Sequence, residues 1–91
     1  MALPNGGVIE KTLKVGKTER YTLGVREWLN GEALTGAVLT GDDKATLSPV
    51  DIDGGDINWF ATGVTKGACK IQVDYTTATR SDRQTVIVIV I

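Results

Sequence analysis

The stretch from Ala68 to Thr77 reads Ala-Cys-Lys-Ile-Gln-Val-Asp-Tyr-Thr-Thr, and it alternates apolar with polar side chains more regularly than any other part of the chain. The odd-numbered side chains from Cys69 to Tyr75 are apolar, whereas those between them are polar or charged. A period of two residues is the pattern of a β-strand that buries one face and exposes the other. The stretch therefore predicts a strand from a sheet that covers one side of a core.

Further short runs rich in β-branched and aromatic residues lie on both sides of this strand, and turn-forming residues separate them. We predict strands at Val8–Val15, Glu19–Arg26, Leu34–Thr40, Ala45–Val50, Ile57–Thr62 and Asp82–Ile91. Asn-Gly and Gly-Gly pairs predict a turn at Leu29–Glu32 and a loop at Asp51–Asp56. No stretch has a clear helical period. The pattern is typical of an all-β protein, an immunoglobulin-like antiparallel β-sandwich of about seven strands.

Length and composition indicate one small globular unit. With 91 residues, 42% of them hydrophobic and 23% charged, we expect a single β-sandwich domain over residues 1–91, with residues 1–7 as a flexible N-terminal arm. A net charge of −1 provides no basic excess for phosphates, so nucleic acid is not expected as a partner. The sequence has no signal-peptide pattern and no apolar run of the ~20 residues that a membrane helix needs, so we expect cytoplasmic synthesis and no membrane partner.

The residue types that usually carry catalysis are scarce. The chain has no histidine, the commonest general base and metal ligand. Its single cysteine, Cys69, lies on the apolar face of the predicted strand, which favours a buried structural thiol. Ser48 and Ser81 lack the glycine-flanked setting of a hydrolase nucleophile. We therefore expect no enzymatic activity and no cofactor.

Asp51, Asp53 and Asp56 surround the Gly54-Gly55 pair and are the only candidate metal ligands. Three carboxylates on one loop suit calcium, which prefers hard oxygen ligands. The spacing differs from that of the helix–loop–helix calcium site, and aspartate and glycine are also ordinary residues of solvated turns. The sequence favours a plain turn and makes the metal site a weak candidate.

The aromatic side chains fit two interpretations. They are candidates for stacking on sugars, as in a carbohydrate-binding module, or for packing in the core or against another subunit. The pattern places Tyr21, Trp59 and Tyr75 on apolar strand faces, which favours the core. Trp28 and Phe60 do not follow that pattern, so we predict them as interface residues.

The last six residues, Val86–Ile91, are all β-branched and apolar, so this predicted strand has no polar face. A strand with one solvated face should alternate, and an uncovered apolar strand promotes aggregation. Either loops of the same chain or a neighbouring subunit should cover the second face. We favour the subunit and predict an assembly interface that adds Val86, Val88, Val90 and Ile91 to the two aromatic residues above.

Three segments resemble corresponding parts of one known family. The first is Tyr21–Glu32, with an aromatic strand, a Trp-Leu pair and an acidic turn. The second is Trp59–Gly63 followed by Gly67, a tryptophan strand that leads to a glycine-bounded hairpin. The third is Arg80–Thr85, which runs into the aliphatic end of the chain. With these features the chain resembles the fiber–tail adaptor proteins of tailed bacteriophages, which are small immunoglobulin-like virion proteins.

The resemblance implies a structural role and no catalytic residues. It implies a virion location in the tail or neck, after synthesis in the host cytoplasm. The implied partners are other virion proteins, namely tail, head–tail connector or fiber subunits, with several copies per particle. Three alternatives stay open: a capsid decoration protein, a carbohydrate-binding module and, least favoured because no histidine or credible nucleophile is present, a small hydrolase.

Overall fold

A computed structural model describes residues 8–91; the predicted arm, residues 1–7, lies outside this range. The described chain forms two facing sheets. Its elements are β1 (Val8–Leu13), β2 (Thr18–Gly24), α1 (Arg26–Leu29), β3 (Gly36–Thr40), β4 (Ala45–Leu47), β5 (Asp51–Asp53), β6 (Asp56–Gly63), β7 (Gly67–Thr76) and β8 (Ser81–Val90). The first sheet has the order β1-β8-β7-β3, and the second has the order β2-β6-β4 with β5 also paired to β6. This confirms the predicted all-β sandwich.

The eighth strand comes from the segment predicted as a loop. β5 and the start of β6 form a hairpin in which Ile52 lies opposite Ile57 and Asp53 opposite Asp56. Only the two glycines between them form the turn, and Gly54 has the positive φ of 60° that such a turn requires. The aspartates obscured this strand because they are typical turn residues. The predicted loop at Asp51–Asp56 is thus wrong in extent.

The sandwich is not wholly antiparallel, because β1 pairs parallel to β8. The register runs from Val8 opposite Thr85 to Leu13 opposite Val90. A parallel pair needs a long crossover, and here the remainder of the sandwich provides it. Parallel and antiparallel strands can show the same local alternation of apolar and polar residues. The sequence pattern therefore predicted the strand β1 but not the direction in which it pairs with β8.

A single helical turn, α1, interrupts the path where strand β2 was predicted to continue through Arg26. The amide of Val25 donates to the carbonyl of Gly55, and its own carbonyl accepts from the amide of Leu29. Four residues are too few to produce a helical period in the sequence. The predicted turn that follows is confirmed by positive φ angles of 49° at Asn30 and 90° at Gly31.

The core lies between the two sheets. From the second sheet and α1 it takes Tyr21, Leu23, Val25, Leu29, Ala45, Ile57, Trp59 and Ala61, and from the first sheet Leu13, Cys69, Ile71, Val73, Tyr75, Val86, Val88 and Val90. The apolar face predicted for β7 is therefore confirmed, including the buried position of Cys69. Burial raises the pKa of this thiol, which keeps it protonated and unreactive. Among residues 8–91, no helix is long and apolar enough to span a membrane.

Candidate functional site

One end of the sandwich carries a group of linked polar and aromatic side chains around Arg80, called here the Arg80 cluster: Trp28, Glu32, Tyr75, Thr77, Thr79 and Arg80. The Nε of Arg80 donates to Glu32 at 2.8 Å. Its Nη2 donates to the carbonyl oxygens of Trp28 at 2.7 Å and Leu29 at 2.9 Å. The guanidinium lies 4.4 Å from the centre of the Trp28 ring, within the range of a cation–π contact. One side chain thus ties α1 to the turn before β8.

Trp28 makes two ring contacts within its own chain. Its ring meets Tyr75 edge to face at a centroid distance of 4.8 Å, and the guanidinium of Arg80 lies over the ring. Trp28 is therefore half-buried against its own chain. The predicted interface residue is part of an internal contact that the sequence pattern did not reveal.

The carboxylate of Glu32 accepts several hydrogen bonds in this cluster. The hydroxyls of Thr79 and Thr77 donate to Oε1 at 2.6 and 3.1 Å, and Arg80 occupies Oε2. The bond from Thr79 is the largest cause of the lowered pKa of Glu32, with Thr77 and Arg80 adding to it. A carboxylate stabilised in its charged form is a poor general base near neutral pH. The geometry suits a structural clamp.

The outer face of the second sheet presents a single large aromatic. Phe60 is 51% exposed, and its amide donates to Ser48 Oγ at 2.8 Å. A shallow depression of about 300 Å³ beside it is lined by Arg20, Ser48, Pro49, Asp51, Asn58, Trp59 and Phe60. Two side-chain hydrogen bonds between β2 and β6 flank this area: the hydroxyls of Thr18 and Thr62 bond to each other, and the hydroxyl of Thr22 donates to Asn58 Oδ1. Phe60 is therefore accessible within a polar surface, and its role as a contact residue stays a prediction.

The structure corrects the choice of face on the last strand. Val86, Val88 and Val90 are at most 2% exposed and belong to the core, so a partner cannot reach them without unfolding the sandwich. The alternate side chains, Ile87 and Ile89, lie on the outer face and are half-buried.

The half-burial of Ile87 and Ile89 follows from the central position of β8 between β1 and β7. Glu10 and Lys70 lie opposite Ile87 in the register, and Thr12 and Ala68 lie opposite Ile89. Part of the cover required for the apolar strand therefore comes from the same sheet.

Ile91 belongs to an exposed apolar patch at the end of β8 that is opposite the Arg80 cluster. Its carbonyl accepts from the amide of Val15 at 3.0 Å, and the amide of Gly16 donates to Gly63 at 2.8 Å. Val15, Val64 and Ile91 are 44%, 49% and 50% exposed. These three residues, called here the end patch, form an accessible apolar surface to which the sequence had contributed only Ile91.

The three candidate metal ligands do not form a metal site. Within residues 8–91, no three His, Cys, Asp or Glu side chains are grouped so that they could hold an ion. Asp56 pairs with Arg26 at 3.3 Å, while Asp51 and Asp53 are exposed on β5. Their chemistry in this chain is that of solvated residues beside a tight turn.

No protein-family model matches the chain, and no curated protein matches its sequence. Similar solved structures include an endo-fucoidan hydrolase of glycoside hydrolase family 107, with 22% identity, a TM-score of 0.63 and coverage of 92% of this chain but 12% of the hydrolase. PbICP-C, solved in complex with falcipain-2, matches with 13% identity, a TM-score of 0.60 and coverage of 99% and 92% of the two chains. Domains 4 and 5 of the S-layer protein SbsC match with 19% identity, a TM-score of 0.52 and coverage of 94% and 48%.

These likenesses define the class of protein as an all-β sandwich domain. The chain spans about an eighth of the hydrolase, 12% of its length, so the match is to one part of a much larger enzyme. At identities of 13–22% the likeness concerns the fold alone, because one fold supports many unrelated functions.

Proposed function

We propose that this domain is a non-catalytic structural protein of a bacteriophage virion, a small tail or neck adaptor to which fibers or other tail components attach. The virion location in this proposal comes from the sequence resemblance to fiber–tail adaptor proteins. The observation that supports it is spatial: the three resembling segments, which are distant along the chain, contact one another in the fold.

The contacts join the first segment to each of the other two. Tyr21 of the first segment lies opposite Trp59 of the second in the β2–β6 register, and their rings are 6.0 Å apart. Arg80 of the third segment bonds to Trp28 and Glu32 of the first. Residues that depend on each other for packing are expected to occur together, so the match concerns one connected unit and not three isolated short motifs.

The described side chains favour holding over catalysis. Cys69 is buried, the Glu32 carboxylate is occupied by hydrogen bonds, and Ser48 Oγ both donates to Pro49 and accepts from Phe60. The large apolar side chains that the described chain exposes are instead those of the end patch, Phe60, Val38 and Ile52. Exposed apolar side chains of this kind suit contacts with other proteins.

The test is to locate the chain in purified particles. Tails and capsids should be separated, the chain quantified in each fraction by mass spectrometry, and its position marked with an antibody coupled to gold. Enrichment at the tail or neck is expected. Distribution over the capsid lattice would instead favour the decoration-protein alternative, and absence from particles would reject both.

A carbohydrate-binding module is the second candidate, and the exposure of Phe60 beside a polar depression favours it. Because the Trp59 side chain is buried in the core and points away from Phe60, sugar binding is best followed by calorimetry and by the amide NMR signals of Ser48 and Phe60. The test titrates neutral and sulfated oligosaccharides into the protein and into the Phe60→Ala variant. A response that Phe60→Ala abolishes would establish this function, whereas no response from either protein would exclude it for the sugars used.

A further inference from the structure

Edge strands expose unpaired backbone groups, and natural sheets usually protect them with charges, prolines or short length. The edges of the described sandwich are β1 and β3 in the first sheet and β2 and β4 in the second, with β5 beside β6. β1 carries Lys11, which lies opposite the buried Val88 and so occupies the inward face of the sheet. An inward charge on an edge strand blocks further pairing.

The edges of the second sheet are protected as well. β2 carries Glu19 and Arg20, and β4 has only three residues and is followed closely by Pro49. β5 is equally short and has an aspartate at each end. Each of these strands has at least one feature that opposes the addition of a further strand.

β3 is different. The segment Thr35–Gly41 contains neither a charged residue nor a proline. Within residues 8–91, β3 pairs with β7 on one side and with no strand on the other. At its centre Val38 is 62% exposed, the largest value among the exposed large hydrophobic side chains of the described chain. In an antiparallel edge strand, alternate residues direct their backbone N–H and C=O groups away from the sheet. β3 therefore offers an apolar, unprotected edge.

We propose that β3 of a second copy of this chain pairs antiparallel with β3 across a two-fold axis at Val38. This pairing joins the first sheets of the two copies into one continuous sheet. The sequence of the strand supports a copy of itself as the occupant. Antiparallel pairing centred on Val38 sets Ala37 opposite Leu39 of the second copy, Gly36 opposite Thr40, and Thr35 opposite Gly41. Each of these pairs combines a small with a larger side chain, so the two strands fit without a steric or charge conflict.

Long-range electrostatics also permit the pairing, since the net charge of the chain is only −1. Seven paired residues on each side, Thr35–Gly41, make a contact well below the roughly 1,200 Å² that stable interfaces bury. The association is therefore weak in dilute solution and strong where many copies are held close together. The inference does not depend on the proposed virion role, because it follows from the edge of the sheet alone.

Disulfide cross-linking of single cysteines introduced into the full chain tests the register of this pairing. Residues opposite each other across an antiparallel pair have Cα atoms about 4.5–5.5 Å apart, within reach of a disulfide. Val38→Cys should therefore cross-link two copies under a mild oxidant such as oxidised glutathione. In Thr40→Cys, the two introduced thiols lie four positions apart along the strands, roughly 14 Å, and cross-linking should be at least about tenfold slower. The natural Cys69 is 0% exposed and adds no background.

The second measurement is sedimentation of the protein without new cysteines up to about 1 mM. We expect a concentration-dependent dimer that Val38→Lys removes and that the matched charge substitution Thr46→Lys, on an exposed position of β4, leaves unchanged. Equal cross-linking of Val38→Cys and Thr40→Cys would overturn the proposal, as would a dimer insensitive to Val38→Lys. A chain that stays monomeric and does not cross-link through Val38→Cys would overturn it too, and would leave the edge to a strand of another protein.

Discussion

Arg80 is the residue on which one end of the sandwich depends. Replacement by alanine removes two charge-assisted bonds to the carbonyls of α1, the pair with Glu32 and the cover over Trp28. With a side chain that is 40% exposed, we expect Arg80→Ala to lower the free energy of unfolding by about 1–2 kcal/mol. Arg80→Lys should recover less than half of that loss, because an ammonium cannot reproduce the planar fork.

The control for Arg80 is Arg83→Ala. Arg83 donates to Asp74 at 2.6 Å, but this pair lies on the outer face of the first sheet and binds no backbone carbonyl of α1. In urea denaturation followed by tryptophan fluorescence, Arg83→Ala should lower the free energy of unfolding by less than Arg80→Ala does. It should also leave the emission of Trp28 unshifted, whereas Arg80→Ala should shift it. Equal losses from the two variants would mean that Arg80 is an ordinary surface ion pair.

Glu32 gives the same cluster a pH dependence. Its pKa in the folded chain is below the usual 4.5, chiefly because of the hydrogen bond from Thr79. A group with a lowered folded pKa stabilises the fold at pH values above its unfolded pKa, and this contribution disappears as the pH falls through the folded pKa. The difference in unfolding free energy between wild type and Glu32→Gln should be constant from pH 7 to about 5 and should shrink below about 4.5.

Thr79→Val tests the stated cause, because it removes the shortest bond to the carboxylate while leaving Arg80 in place. Its pH dependence should lie between those of the wild type and Glu32→Gln when each is followed by urea denaturation at several pH values. If the difference in unfolding free energy between the wild type and Glu32→Gln persisted unchanged to pH 2, the pH dependence could not be assigned to Glu32.

At the residue level the sequence identified members of this cluster but not their connection. Trp28 stood out as an aromatic residue off the strand pattern, and Arg80 was part of the family resemblance. The bonds that join them span 52 and 48 positions of the chain, from Arg80 to Trp28 and to Glu32. Contacts at such separations depend on how strands pair, and alternation within one strand carries no information about that.

Among the elements, β8 has the clearest division between its two faces. Val88 is 0% exposed in the core, whereas the neighbouring Ile89 lies on the outer face opposite Ala68 and Thr12. Val88→Lys buries an unpaired charge and should prevent cooperative folding. Ile89→Lys keeps its charge in water and should cost roughly 1 kcal/mol.

The pair of variants also separates folding from assembly. Amide NMR spectra and thermal melts report the folded state of each protein, and incorporation into particles reports assembly. If Ile89→Lys folds but no longer enters particles, the outer face of β8 contacts a neighbour. If both variants melt like the wild type, the assignment of the two faces is wrong.

Strands were predicted most accurately where apolar and polar residues alternate most regularly. β7, with its regular period, was placed within one residue at each end, from Gly67 to Thr76. The pattern failed where elements were too short to show a period, as in α1 and β5, and where acidic residues hid a strand. It also missed the parallel pairing of β1 with β8, since direction is a property of two strands together.

The whole molecule is closed by strands from both ends of its described chain, because β1 lies against β8. β8 also pairs along its full length with β7, and β7 pairs with β3. Non-local pairing of this kind makes folding slow, on the order of milliseconds to seconds, and makes opening of one strand costly for all. The core should therefore open as a single cooperative unit.

Cys69 provides a direct measure of this cooperativity. It lies in β7 opposite Val88, is 0% exposed, and its pKa is raised by burial, so a thiol reagent can reach it only when the sandwich opens. We expect labelling by an aromatic disulfide reagent to be slower than that of an exposed thiol by about 10³-fold or more, and to accelerate with urea in step with global unfolding.

The control is Ala68→Cys in a Cys69→Ala background, because residue 68 is exposed on the same strand and should react within seconds. Fast labelling of Cys69 in a chain that still shows its native circular dichroism would mean that β7 and β8 separate locally, and that the closed sheet does not act as one unit.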